Sequence, residues 1–558
     1  MEIFKIENVS FTFAESSHPT LNNVSFSIEK GSFTVLFGAS GSGKTTLLQL
    51  LKRELTPNGK REGSIFYKGT LLEEMDAKIA ANEIGFVMQK PDDQIVMDTV
   101  WHELAFGLEN LGMKNPQIRK KIAEMTNYFG IGNWFHKKTS ELSGGQKQLL
   151  NLASVLIMQP KVIILDEPTS QLDPIAATEF MQTLHQLHED TGVTIVLVEH
   201  RLEDAFRMAS HIMIMESGAI LAQGTPRTIG QSLKKINDRH PMLQALPAAT
   251  RIFHGLSLVA NESPITVREG IAYVETYSNM IQDLDNDLAE QDSDEIVMAL
   301  KDCWFRYGRD LPDIVKGLSV DIRKQEIFCV LGGNGSGKTT LLKLLAGQCK
   351  PYKGNVLLHD KKLKKYSMQQ LYQKNLALLP QDPKMLFLQS TVRQDYEATA
   401  KLMGLGKEEK SLQIERVIEM LAIESLIDAH PYSVSGGELQ KIAIGKVLLL
   451  QPKILLLDEP TKGIDVFAKE QLRQLLQQLR AQGMTIIVVT HDMEFAAGIA
   501  DRCGLFFDGE ILAIDAPRPF FAHNNFYTTP ANKIARQQYP NAITCEDVIR
   551  LCLKNGLA

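Results

Sequence analysis

The sequence predicts an α/β chain made of two copies of one parallel-sheet domain. The first observation is an internal repeat. GSGKTTLL occurs at Gly41–Leu48 and again at Gly335–Leu342, SGG recurs at Ser143 and Ser435, and LDEPT recurs at Leu165 and Leu457. A histidine that follows an apolar run recurs at His200 and His491. Four landmarks in one order and nearly one register mean a duplicated domain. The second observation is that short apolar runs alternate with helical stretches in each half, as βα units of a parallel sheet do. A chain of 558 residues has room for two such domains, each with its own core.

In chain order, Ser32–Phe37 is expected as a strand feeding a glycine-rich loop, with Thr45–Arg53 as the helix behind it. Val162–Leu165 and Thr194–Val198 read as buried strands of mostly apolar residues. The second half repeats the pattern at Ile327–Leu331, Ile454–Leu457 and Thr485–Val489. SPITVRE at Ser263–Glu269 loosely echoes NAITCED at Asn541–Asp547, so each half is expected to carry a C-terminal extension. The expected ranges are 1–275 for the first domain with its extension, 276–295 for a linker and 296–558 for the second domain with its extension. Within the linker, Asp283–Glu295 holds seven acids and no Lys or Arg. Asp283, Asp285 and Asp287 imitate a calcium loop, but Leu288 stands where the sharp turn needs Gly and Asp294 where a bidentate Glu is expected. The segment reads as a solvated acidic linker.

Composition excludes several classes. The chain is 44% hydrophobic and 23% charged with a net charge of −6, so no global basic field points to nucleic acid. The six cysteines lie in the second half without a CxxC pair, which suggests a reducing compartment rather than a zinc ribbon or disulfide framework. The opening MEIFKIENVS lacks the basic and apolar regions of a signal peptide. The longest apolar runs fall far short of the ~18 residues needed to span a bilayer. A membrane process would need another chain to supply the membrane.

Three motifs carry chemistry. Gly38-Ala39-Ser40-Gly41-Ser42-Gly43-Lys44-Thr45-Thr46 and Gly332-Gly333-Asn334-Gly335-Ser336-Gly337-Lys338-Thr339-Thr340 both fit G-x-x-x-x-G-K-[ST]. Such a loop lets backbone N–H groups and a helix N-terminus meet phosphate oxygens. The lysine neutralises β/γ charge and the threonine hydroxyl (Thr45, Thr339) coordinates Mg²⁺. Asp166-Glu167 and Asp458-Glu459 each follow four apolar residues, where the first acid can hold Mg²⁺ and the second can polarise a water attacking a γ-phosphate. Leu142-Ser143-Gly144-Gly145-Gln146 and Val434-Ser435-Gly436-Gly437-Glu438 place a serine and two glycines ahead of a helix (Gln146–Met158 in the first half), a second anion-binding end.

With this third motif the sequence resembles the ATP-binding cassette (ABC) family, whose signature reads LSGGQ, over essentially the whole chain. The resemblance implies two P-loop NTPase domains in tandem, each with a helical subdomain, acting as an ATPase with ATP and Mg²⁺ as its ligands. It implies cassettes that close head to tail. One site then uses Lys44, Thr45, Asp166 and Glu167 with Ser435, Gly436 and Gly437, and the other Lys338, Thr339, Asp458 and Glu459 with Ser143, Gly144 and Gly145. Gln89 and Gln381 match the family's Q-loop glutamine, which contacts Mg²⁺ and the attacking water. His200 and His491 match its switch histidine, Asp173 and Asp465 its D-loop acid, and Phe13 and Tyr307 fall where an aromatic stacks on adenine. Val434 and Glu438 depart from the signature. The extra negative charge of Glu438 is expected to weaken the Lys44 site, while both sites are expected to work.

After Gln89, the run KPDDQIVMDTVWHELAFGLENLGM resembles the energy-coupling-factor (ECF) importers, as do EHRLED (Glu199–Asp204) and FYTTPANKIAR (Phe526–Arg536). Fused double cassettes of this kind resemble ATPases associated with a thiamine-precursor importer. This implies a transmembrane coupling subunit and a membrane substrate-binding subunit as partners, with the chain peripheral on the cytoplasmic face of the membrane. The second Q-loop, LPQDPKMLFLQSTV, lacks the acidic DDQ, which suits a partner presenting two non-equivalent coupling helices. The alternative is a soluble tandem ABC ATPase acting on ribosomes or nucleic acid. Those join their halves by a long, often basic linker, and here the linker is short and acidic, so no nucleic-acid partner is expected.

Overall fold

The computed structural model describes residues 1–14, 16–256, 262–276, 295–404 and 406–556. Most of the expected acidic linker, with its calcium-like spacing, lies outside the described residues. Contacts divide the chain into two compact units, Met1–Thr266 and Val267–Ala558.

In the first unit a six-stranded sheet runs in the spatial order Ala219–Gly224, His211–Glu216, Phe33–Gly38, Thr194–Val198, Val162–Asp166, Ile84–Val87. All neighbours pair in parallel except the first two strands. The central strands Phe33–Gly38, Val162–Asp166 and Thr194–Val198 are buried along their whole length. Continuous apolar runs follow from that, because helices or a second sheet cover both faces of a parallel sheet. The four-stranded sheet built on Glu2–Phe13, Leu21–Glu29 and Gly59–Tyr67 is antiparallel. Its buried Phe4, Ile6, Val9 and Phe11 share one core with Leu47, Leu48 and Val196.

The second unit repeats this arrangement. Its six-stranded sheet has the order Leu376–Leu379, Ile454–Asp458, Thr485–Thr490, Ile327–Leu331, Arg502–Phe507, Glu510–Asp515. Each unit also carries a helical subdomain. In the first, the helices Val100–Asn110, Asn115–Tyr128 and Gly144–Leu156 pack Leu104, Leu108, Ile118, Ile122 and Leu150 into a separate cluster with Trp134. In the second, Val392–Leu402, Lys407–Leu421 and Gly436–Leu448 correspond.

The expected helix Thr45–Arg53 is shorter, Lys44–Leu50, followed by a 3₁₀ turn at Arg53–Leu55. The signature helix begins two residues earlier than expected, at Gly144, because Ser143 caps it. One boundary differs from the expected ranges. The amphipathic helix Val267–Glu275, placed in sequence with the first domain, belongs to the second unit, where it packs beside Pro530–Ala535 with Gly270 and Val274 buried. Among the described residues no helix is long and apolar enough to cross a membrane.

Candidate active site

Register brings the motifs of each unit to one end of its sheet. In the first unit the strand Thr194–Val198 lies between the other two, with Val198 level with Leu36 on one side and Asp166 on the other. The glycine loop, the Asp-Glu pair and His200 therefore all leave the sheet at its carboxyl end, where open α/β sheets bind ligands. The second unit aligns Thr490 with Leu331 and Val489 with Asp458.

Each glycine loop is held tightly to its sheet. A Cβ on Gly38 would come 2.1 Å from the Met215 carbonyl oxygen, and one on Gly332 2.4 Å from that of Phe506, so only glycine lets the loop pass there. Lys44 Nζ donates to the Gly38 and Ala39 carbonyls at 2.9 and 2.8 Å. Lys338 Nζ donates to Gly332 and Gly333, each at 2.9 Å. Both lysines are buried, so their charge is set inside the loop where phosphate oxygens would lie.

The paired carboxylates are driven apart by their surroundings. Burial, then the neighbouring Glu167, pushes Asp166 up to about 6, with Thr45 and Lys44 pulling it back. Burial does the same to Asp458, also to about 6, against a hydrogen bond from Thr339 Oγ1 at 3.1 Å. Burial acts on Glu167 as well, but the His200 hydrogen bond and the Lys44 charge outweigh it and hold the carboxyl below the usual glutamate range. Glu459 is held low by His491 and Lys338 in the same way. Each pair thus offers one ionised glutamate able to take a proton from water, beside an aspartate whose negative charge is costly until a cation neutralises it. Among the described residues nothing hydrogen-bonds to Asp166 Oδ1, which is buried. Among the described residues no three His, Cys, Asp or Glu side chains cluster to hold a metal by themselves. One carboxylate, one hydroxyl and an amide oxygen suit a small hard cation that arrives with phosphates.

Both glutamates adopt left-handed backbone, with φ of 44° at Glu167 and 49° at Glu459, a conformation rare for residues other than Gly, Asn and Asp. Gln89 Nε2 donates to Glu167 Oε2 at 2.6 Å, and His200 Nε2 lies 2.8 Å from Glu167 Oε1. In the second unit the ring is turned: His491 Nδ1 lies 2.8 Å from Glu459 Oε2, and Lys338 Nζ 3.6 Å from Glu459 Oε1. Gln381 is exposed, and among the described residues it makes no bond matching that of Gln89.

The signature serines cap their helices. Ser143 accepts from Gln146 N at 3.3 Å while Gln146 Oε1 accepts from Ser143 N at 3.0 Å, a capping box. Glu438 plays the glutamine's part in the second unit, and its Oε2 accepts from both Ser435 N (2.8 Å) and Ser435 Oγ (2.7 Å). The Ser435 hydroxyl proton is therefore already engaged by a carboxylate. The predicted D-loop acids Asp173 and Asp465 cap the following helices. Tyr307 is 55% exposed and its hydroxyl lies 3.1 Å from Thr340 Oγ1, beside the glycine loop. Phe13 is 36% exposed at the end of its strand, edge-on to Phe11.

Two features were not read from the sequence. Lys147, on the signature helix, pairs with Asp92 at 2.5 Å and so ties that helix to the short helix Pro91–Gln94 after Gln89. In the second unit the matching positions, counted from Pro383 and Ser435, hold Lys384 and Leu439. The other is Glu199, a buried acid at the end of Thr194–Val198. An acid closing the run TIVLV was the available signal.

The family profile described as "ABC transporter" matches residues 21–170 and 315–462, together more than half of the chain. A Bacillus thuringiensis subsp. konkukian protein named as an ABC transporter ATP-binding protein is 42% identical over 550 residues, 98% of each chain. A Clostridium tetani protein of the same description is 38% identical over 449 residues, 80% of this chain and 98% of its own. A Bacillus subtilis protein named as the HMP/thiamine import ATP-binding protein YkoD is 31% identical over 524 residues, 91% of each chain. Each matched segment encloses one glycine loop, one signature and one Asp-Glu pair, and the chain belongs to the ABC transporter ATP-binding proteins as a two-cassette ATPase.

Proposed function

We propose that the chain is the ATP-binding subunit of an ECF-type importer, peripheral on the cytoplasmic face of the membrane. It hydrolyses ATP with Mg²⁺ at two composite sites to drive uptake of a vitamin or other micronutrient through separate membrane subunits. The cassettes pair head to tail, so that Ser435 serves the nucleotide at Lys44 and Ser143 the one at Lys338. Thr45, Asp166 and Gln89 hold the cation in one site and Thr339, Asp458 and Gln381 in the other. Glu167 and Glu459 polarise the attacking water, His200 and His491 reach the γ-phosphate, and Phe13 and Tyr307 stack on adenine.

The observation that carries the importer reading is the acidic surface after Gln89. Asp92 and Asp93 are exposed, Asp92 is tied by Lys147 to the signature helix, and Gln89 itself holds Glu167. A cationic side chain of a membrane partner docking on this pair is thereby connected to both the carboxylate and the signature of one cassette. Lys384 and Met385 occupy the matching place in the second cassette, which gives the partner two unlike surfaces. The relative named for HMP/thiamine import supports a vitamin precursor as the cargo class. The test is purification of the tagged chain from detergent-solubilised membranes of its own host. A polytopic coupling protein and a small membrane substrate-binding protein in stoichiometric amounts are expected. Salt-dependent recovery of ribosomes without them would contradict the reading.

A further inference from the structure

Glu199 is 2% exposed and joins two loops that carry the chemistry of the first cassette. Its Oε1 accepts from Thr169 N at 3.0 Å and from Thr169 Oγ1 at 2.6 Å. Its Oε2 accepts from His200 N at 3.0 Å and from Arg201 N at 3.4 Å. Thr169 ends the Asp166-Glu167-Pro168-Thr169 segment, so one carboxylate spans the strand-end loop bearing Glu167 and the strand-end loop bearing His200. Those two residues meet at 2.8 Å.

The second cassette lacks this bridge. Thr490 stands in place of Glu199, and its hydroxyl lies 3.5 Å from Thr461 Oγ1, at the limit of a useful hydrogen bond. Thr490 Oγ1 accepts instead from Asp492 N at 3.0 Å. The backbone N–H of His491 donates to Glu459 itself, at 3.3 Å, and the ring approaches Glu459 through Nδ1 rather than Nε2.

We propose that Glu199 is a positioning residue that fixes the backbone of His200 against the Glu167 loop, so that Nε2 faces Glu167, and that its absence from the second cassette makes the two switch histidines mechanically unequal. The proposal rests on the reading of His200 and Glu167 as a working pair. Each of the four partners of Glu199 donates. Only a carboxylate can accept from all of them, since an amide must turn its NH₂ toward one of the two donor pairs. Glutamine is isosteric yet wrong, which separates an electrostatic clamp from a space-filling role. An N–H left facing a donor inside the protein is costly.

The test compares Glu199→Gln and Glu199→Thr, the latter copying the second cassette, in the full chain. Turnover, nucleotide affinity and double-mutant cycles with His200→Ala and His491→Ala are measured. Loss of one buried donor pair predicts an about tenfold fall in turnover at the Lys44 site with nucleotide affinity within about twofold. The glutamine or threonine change should add nothing to His200→Ala but lower the residual turnover of His491→Ala. Should glutamine prevent folding, the same cycles with threonine decide. A silent Glu199→Gln beside a crippled His200→Ala would overturn the proposal alone, and so would a loss that multiplies equally into both histidine backgrounds, the mark of a general packing defect. Full turnover in His200→Ala would instead sink the His200 reading, and this proposal with it.

Discussion

Gln89 Nε2 donates to Glu167 Oε2 across 2.6 Å, so the segment that opens the exposed acidic surface also grips the carboxylate best placed to polarise water. His200 grips its other oxygen. Glu167 is thus fixed from two loops, kept ionised, and held in a backbone conformation that most residues avoid.

Glu167→Gln and Glu459→Gln are each expected to keep nucleotide binding while lowering turnover at their own site by about 10²- to 10⁴-fold, the usual worth of a positioned general base. An amide keeps the size of the side chain and one accepting oxygen, against the two that Gln89 and His200 meet in Glu167, but takes no proton. Steady-state turnover beside equilibrium nucleotide binding checks this. Full turnover in the double variant would show that another group is the base.

Asp92→Ala combined with Asp93→Ala is expected to uncouple transport from the ATPase while sparing nucleotide affinity. Both acids are exposed and Asp92 pairs at the surface with Lys147, so the cost to folding is small, ~1 kcal/mol or less. Uptake and assembly in the reconstituted complex are the readouts. Unchanged uptake with unchanged assembly would mean that the pair is merely solvated.

Cation binding should weaken in acid. Asp166 and Asp458 sit at about 6 in the cation-free chain, so below that pH a proton competes with Mg²⁺ for each carboxylate. Between pH 7.5 and pH 5 the Mg²⁺ affinity of the nucleotide-loaded chain is expected to fall about tenfold per site. The sign for stability is opposite. Because the folded value is raised, each aspartate's contribution to the cation-free fold is fully present below about 3.8 and is lost as pH rises through about 6. Mg²⁺ titrations at the two pH values check the first statement, and a flat response would contradict it.

Much of this site was legible before the structure because its signals are local. Lys44 and Thr45 follow a fixed glycine spacing, Asp166 and Glu167 close a four-residue apolar run, and Ser143 precedes a helix with a capping residue three places on. What escaped depends on contacts between distant segments or on backbone torsion. Glu199 meets Thr169 across thirty residues of sequence, Lys147 meets Asp92 across 55, and the positive φ of Glu167 is imposed by the turn out of the strand rather than by residue type. The helix Val267–Glu275 was misplaced because chain order and packing disagree. Its sequence echo tied it to the first domain, while its apolar stripe buries in the second unit.

The crossed pairing of signature and glycine loop is the claim on which the two-site reading depends. On that proposal the signature groups would meet the γ-phosphate only on closure, and so would stabilise the transition state more than initial binding. Ser143→Arg is therefore expected to block hydrolysis at the Lys338 site while leaving nucleotide affinity at both sites nearly intact. The direct measurement is ATP turnover in two double variants. Ser143→Arg with Lys338→Ala should match Lys338→Ala alone, and Ser143→Arg with Lys44→Ala should abolish the remaining turnover. Redundancy of Ser143→Arg with Lys44→Ala instead would mean that each cassette uses its own signature, and would contradict the head-to-tail reading.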